Sequence, residues 1–165
     1  MLSLIQNSTE IQIFLYSMLP ITELRGTIPY FILNTNTHWF IVFFLAVSSN
    51  VTIGLLVRYL IAPIFLYLKT FNFFSYLINP ILRRTESKLY KIEQYKLYGL
   101  ILFIGIPLPI TGVWTGALAS YMLSMSNYKS FIGIIFGSLL SGIIVTTISL
   151  LSLEIATSLI PNYLK

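Results

Sequence analysis

The chain has 165 residues, of which 56% are hydrophobic and 9% charged, with a formal net charge of +5 and no cysteine. Globular domains carry about 25% charged residues, so this composition excludes an ordinary water-soluble domain, a disordered tail and a basic nucleic-acid module. Without Cys or Asp, and with a single His, it also excludes a disulfide scaffold and a conventional zinc or thiol site, and neither metal nor cofactor is expected. The reading is an all-α polytopic protein of the cell membrane with at most about six to seven passes, at about 20 residues each. Its positive charge then bears on orientation and on contact with anionic membrane lipids.

The N-terminus has no Lys or Arg before Arg25 and no small-residue cleavage site, so it does not read as a secretory signal. Residues 11–22 form an uncharged run of 12, too short to cross. A charged pair, Glu23 and Arg25, follows, flanked by Pro20 and Pro29 with Gly26 inside. Proline removes a helical donor and clashes with the preceding turn, and glycine weakens a helix further. The expectation is a re-entrant hairpin broken at Pro20, Gly26 and Pro29 and ending at the polar tract Asn34–His38, where His38 is expected to be inert. Residues 39–57 then make a crossing, whose polar patch Ser48, Ser49, Asn50 and Thr52 must face protein or a wet cavity.

Seven of the ten basic residues lie between Arg58 and Lys96. The uncharged runs there are short, and Leu82, Leu89 and Ile92 fall along one helical face. This segment reads as a basic amphipathic helix at the interface, with residues 83–96 on the cytoplasmic side. The alternative is one crossing by 59–82 with Lys69 snorkelling. Residues 97–128 form an uncharged run of 32, about 48 Å as one helix against a hydrocarbon core of about 30 Å. Gly105, Pro107, Pro109, Gly112 and Gly116 interrupt it, so a second hairpin is expected. Residues 130–153 make a last crossing, leaving a tail at 154–165. Gly133, Gly137 and Ser141 give it a small-residue face for the bundle or for a homodimer.

Leu19-Pro20-Ile21-Thr22 recurs as Leu108-Pro109-Ile110-Thr111 at an offset of 89, and at the same offset Trp39 aligns with Tyr128. The unit is a hairpin followed by a crossing, about 11–57 and about 97–153, in one membrane domain. If the basic linker 58–96 makes no net crossing, the two units are inverted repeats, the architecture of secondary transporters whose sites form where broken helices meet.

Ionisable residues in a membrane interior default to a functional hypothesis. Glu23 and Arg25 do not face each other on a helix. They pair only through non-helical backbone, or each finds a partner elsewhere. Arg25 offers a planar fork suited to phosphate or carboxylate, and a half-helix starting near Gly112 offers backbone donors. Glu23 is a candidate proton-linked switch, and Trp114 either stacks on substrate or packs. With no nucleophile–base pair visible, an enzyme is not expected.

The segment ITELRGTIPYFI and, about eighty residues on, PLPITGVWTGALAS resemble the two signatures of the small multi-drug export protein family, with Ile110 where the family's pattern has glycine. That family looks distantly related to the DedA/VTT superfamily, implicated in moving polyprenyl phosphates and phospholipids between leaflets. The resemblance implies facing re-entrant hairpins and carries the motif onto Glu23, Arg25, Gly26, Pro29, Pro107, Pro109, Thr111, Gly112, Trp114, Thr115 and Gly116. It implies a carrier for an anionic lipid or polyprenyl phosphate, the alternatives being an exporter of lipophilic cations or a non-transporting assembly protein.

Overall fold

The computed structural model describes residues 9–64, 95–108 and 111–159. The expected amphipathic linker, the alternative crossing at 59–82 beyond residue 64, Pro109 and Ile110, and the tail beyond 159 lie outside the described residues. Among those described every regular element is helical.

Chain order is helix, break, helix, long helix, twice. Helix α1 (Thr9–Met18) and helix α2 (Glu23–Asn34) are separated by residues 19–22. Helix α3 (Trp39–Leu56) then runs into one wide π-helical turn (Val57–Ile61). In the second unit α4 (Lys96–Gly105) and α5 (Val113–Met122) flank a break at 106–112, and α6 (Asn127–Leu159) follows. Among the described residues two rods are long and apolar enough to cross a membrane: Trp39–Ile64, 26 residues, and Asn127–Ser158, 32 residues. At 1.5 Å per residue they are about 39 and 48 Å long, enough for a hydrocarbon core of about 30 Å. The last helix continues past Glu154 rather than stopping there.

The threonine of the repeated tetrapeptide closes each break. Thr22 Oγ1 donates to the Tyr16 carbonyl at 2.5 Å, and Thr111 Oγ1 donates to the Ile106 and Leu108 carbonyls at 3.1 and 2.9 Å. Carbonyls at a helix C-terminus have no partner within the helix, so a threonine folding back in each break satisfies them. Three expected breaks are corrected. Gly26 and Pro29 lie inside α2, and Gly116 lies inside α5. Pro29 deletes a single helical donor, a local loss, and the Gly26 N–H donates in regular helical fashion to the Thr22 carbonyl at 2.8 Å. The chain reverses instead at residues 19–22, entering α2 through Glu23 at φ 43°. Gly116 lets α5 approach α4, because a Cβ there would strike the Ile104 side chain.

Small residues set the packing of the long helices. Gly133 and Gly137 of α6 seat Leu100 and Ile104 of α4, and Gly105 of α4 faces Leu140. The Gly133, Gly137, Ser141 face is therefore covered within the chain at its two glycines, and Ser141 is buried. Helix α3 lies on α6 where Gly54 meets Ile134 and where Gly142 meets Val47 and Phe43. One apolar cluster joins Ile13, Leu24, Ile28, Phe31, Val42 and Ala46; the other joins Val57, Leu100, Ile104, Val113, Ala117 and Ile134. Glu23 precedes Leu24 of the first, and its carboxylate meets the helix that begins with Val113 of the second. Outward, Phe44, Leu60, Phe136, Ile148 and Ile155 are exposed, as side chains bathed in lipid would be.

Candidate functional site

Residues 79 to 96 positions apart meet where the two breaks face each other. Arg25, in the first turn of α2, reaches the second break with both terminal nitrogens. Nη1 donates to the carbonyls of Leu108 and Thr111 at 2.6 Å each and to Thr111 Oγ1 at 3.2 Å. Nη2 donates to the carbonyls of Ile104 and Ile106 at 3.1 and 3.3 Å. These acceptors close α4 and continue through the break, the negative end of that helix dipole. A planar fork with several fixed donors suits such a fan of oxygens, where a lysine would not.

Glu23 does the opposite at the start of α5. Its Oε1 accepts the Trp114 backbone N–H at 3.4 Å, and the carboxylate lies against Gly112. A helix N-terminus exposes unpaired N–H groups and a positive dipole end, and a carboxylate there satisfies both. Gly112 carries φ 149° and ψ −174°, a conformation essentially confined to glycine, and a Cβ on it would strike both carboxylate oxygens. Only a residue without a side chain brings the α5 terminus this close to Glu23.

The two charges thus do not bond each other. Each serves a terminus of the other unit: the arginine ends α4 and the glutamate begins α5. Trp114 returns the contact, its Nε1 donating to the Met18 carbonyl at the end of α1 at 3.0 Å. Its indole N–H is committed to the protein, while the ring lines the cavity.

That cavity, of about 470 Å³, opens between the breaks and is lined by Pro20, Thr22, Glu23, Arg25, Pro107, Thr111, Trp114 and Thr115 among others. Its volume lies within the range of small-molecule sites. Of the expected site residues, Glu23, Arg25, Thr111, Trp114 and Thr115 line it together, with Pro20, Gly26 and Pro107 from the expected breaks. Gly112 is buried behind Glu23, Pro29 lines a neighbouring hollow with Arg25 and Pro107, and Gly116 is away from the cavity, against Ile104. Missed in the sequence were the Met18 carbonyl and the carbonyls of Ile104, Ile106 and Leu108, since a backbone acceptor leaves no trace in residue type. The Thr22 hydroxyl had a signal in the repeated tetrapeptide.

Elsewhere Ser49 and Asn50 of the α3 polar patch face protein, Ser48 is partly buried, and Thr52, expected to face protein or a wet cavity, is exposed with its hydroxyl folded back onto the Ser48 carbonyl at 2.8 Å. Ser49 Oγ donates to the Phe14 carbonyl of α1 at 2.5 Å, and Asn50 is 1% exposed. His38 caps α3, its Nδ1 accepting from the Phe40 N–H at 3.3 Å. Arg58, the first residue of the basic run, is buried in the π-helical turn at 5% exposure. It donates to the Met125 carbonyl at 2.9 Å and to Ser130 Oγ at 3.3 Å, with the Tyr121 ring 4.7 Å away. Among the described residues no group of His, Cys, Asp or Glu could hold a metal ion.

A family model described as "Putative small multi-drug export protein" matches residues 23–144. The match begins at Glu23, takes in α2, α3, the second break and α6 as far as residue 144, and the chain belongs to this family. Comparison with curated proteins and with solved structures returns no match.

Proposed function

We propose that this member of the small multi-drug export protein family is a membrane carrier for an amphiphile with an anionic headgroup, an anionic lipid or polyprenyl phosphate, held in the cavity between the two breaks. In this reading each unit is a re-entrant hairpin followed by a crossing helix, the units are inverted, and the basic segment 83–96 lies on the cytoplasmic side. Reciprocity at the site supports the repeat. At the offset of 89, Glu23 corresponds to Gly112 and Arg25 to Trp114. Glu23 packs on Gly112, and Arg25 and Trp114 each donate to carbonyls of the opposite break.

One observation favours an anion over a cation. Arg25 is half-buried on the cavity wall with neutral oxygens as its acceptors, whereas Glu23 is 7% exposed and occupied by the α5 terminus. A phosphate oxygen bonds a guanidinium about twice as strongly as a neutral carbonyl does, so it competes well for Arg25. A lipophilic cation would first have to draw Glu23 away from α5. Protonation of Glu23 removes its charge from the helix terminus, which makes it the proton-linked latch of the cycle. No bond of the substrate is made or broken; the site orients and passes it.

The test is flux in proteoliposomes with a panel of lipid phosphates and lipophilic cations. Competition by lipid phosphates alone, lost in Arg25→Ala, is the expected result. Competition by cations alone would make Glu23 the binding group and the chain a cation exporter. No flux of either, with neutral replacements at both positions tolerated, would leave an assembly protein. Because the chain has no cysteine, single-cysteine labelling from each side tests the inverted hairpins directly.

A further inference from the structure

Serine and threonine in an apolar helix usually fold the hydroxyl back onto a carbonyl of the preceding turn. Thr147, Ser149 and Ser152 of α6 do so, at 2.8, 2.7 and 2.8 Å. Ser138, Ser141 and Thr146 on the same helix do not. Their oxygens are enclosed and without a partner, as are Asn50 Oδ1 on α3 and Ser17 Oγ on α1. None of these residues is more than 5% exposed.

Four of them fall along one seam. Gly54 meets Ile134 and Gly142 meets Val47, so α3 and α6 run antiparallel. Asn50, one turn from both Val47 and Gly54, therefore lies opposite Ser138, one turn from both Ile134 and Gly142. Ser141 follows Ser138 on the same face. Ser17 is one turn beyond Phe14, whose carbonyl accepts the hydroxyl of Ser49, the neighbour of Asn50. At its upper end the seam reaches the site already described: Gly54 packs on Val113, next to Gly112 and the Glu23 carboxylate.

A buried oxygen left unpaired is costly, and lipid offers nothing to pair it. The ligand that fits is water. The seam's groups are neutral and include hydroxyls that both donate and accept, and a buried water makes about three hydrogen bonds. We propose that the α3–α6 seam is a water-binding site, in which Asn50, Ser138, Ser141 and Ser17 hold a short file of ordered water, closed toward Glu23 by the apolar contact of Gly54 with Val113 and Ile134.

The test exploits the absence of cysteine. Ser138→Cys and Ser141→Cys each place a thiol in the seam, and its S–H stretch, followed by infrared spectroscopy in bilayers moved to D₂O, reports contact with water. Ala46→Cys, fully buried in the first apolar cluster, is the dry reference. Exchange about tenfold or more faster than this reference is expected at both seam positions, slowing to the reference when Asn50→Leu is added to Ser138→Cys. Exchange as slow as at Ala46→Cys in both overturns the proposal. Should the variants not fold, a water cross-peak to the Asn50 side-chain amide in the unaltered protein decides the question, its presence supporting the seam and its absence refuting it. Neither readout needs a substrate, so its failure is separate from failure of the carrier.

Discussion

Replacing Gly112 by alanine tests the contact between the two units at its tightest point. The backbone at φ 149° and ψ −174° costs a residue with a Cβ about 1–3 kcal/mol. The added carbon would also lie 2.7 Å from Glu23 Oε1, 2.8 Å from its carboxyl carbon and closer still to Oε2. Glu23 must then leave the α5 terminus, forfeiting a cap and a dipole interaction of about 0.5–2 kcal/mol. Together the loss is about 1.5–5 kcal/mol. Gly99→Ala supplies the control, because a Cβ there meets nothing within 4 Å and alanine is favoured over glycine in a helix by about 0.5–1 kcal/mol. Unfolding of both variants in mixed micelles, followed by circular dichroism, measures the difference. If Gly112→Ala unfolds within about 0.5 kcal/mol of the parent, an ordinary surface effect, then Glu23 does not hold α5 through Gly112.

Arg25→Lys keeps the charge but loses the fork, and is expected to cost about 2–3 kcal/mol in the same assay, in the range of one lost bond to a charged group. Unchanged stability would mean the carbonyl fan contributes nothing. Trp114→Phe keeps the ring but loses the bond to the Met18 carbonyl, an expected loss of about 1 kcal/mol, read by the same unfolding curve. Gly137→Ala would place a Cβ 2.7 Å from Ile104 Cβ and 3.2 Å from the Ile101 carbonyl oxygen. Overpacking of this kind costs about 1–3 kcal/mol, and a cysteine pair across α4 and α6 would crosslink more slowly.

The broken helices were legible because prolines and bilayer length conflict with continuous rods, and the repeated tetrapeptide falls in both breaks. Pro29 and Gly26 misled: each is a helix breaker by type, yet α2 absorbs both, since one missing donor does not undo a helix anchored elsewhere. The reversal instead passes through Glu23 at φ 43°, a conformation no sequence rule assigns to glutamate. That Glu23 and Arg25 stand out was visible in the rarity of charge inside an apolar chain. What they touch was not, because their partners are backbone groups 79 to 91 residues away. Arg58 shows the same limit, since a charge beside a long apolar run reads as a boundary while the fold encloses it between α3 and the end of α5.

The exchange of charges between the units has a consequence for biosynthesis. A ribosome delivers residues 9–64 well before 95–122, so Glu23 and Arg25 are made before the helix ends they complete. Until α4 and α5 follow, both charges lack the backbone partners they have in the finished fold, and the contacts that join the two units form only once residues through 122 have been synthesised.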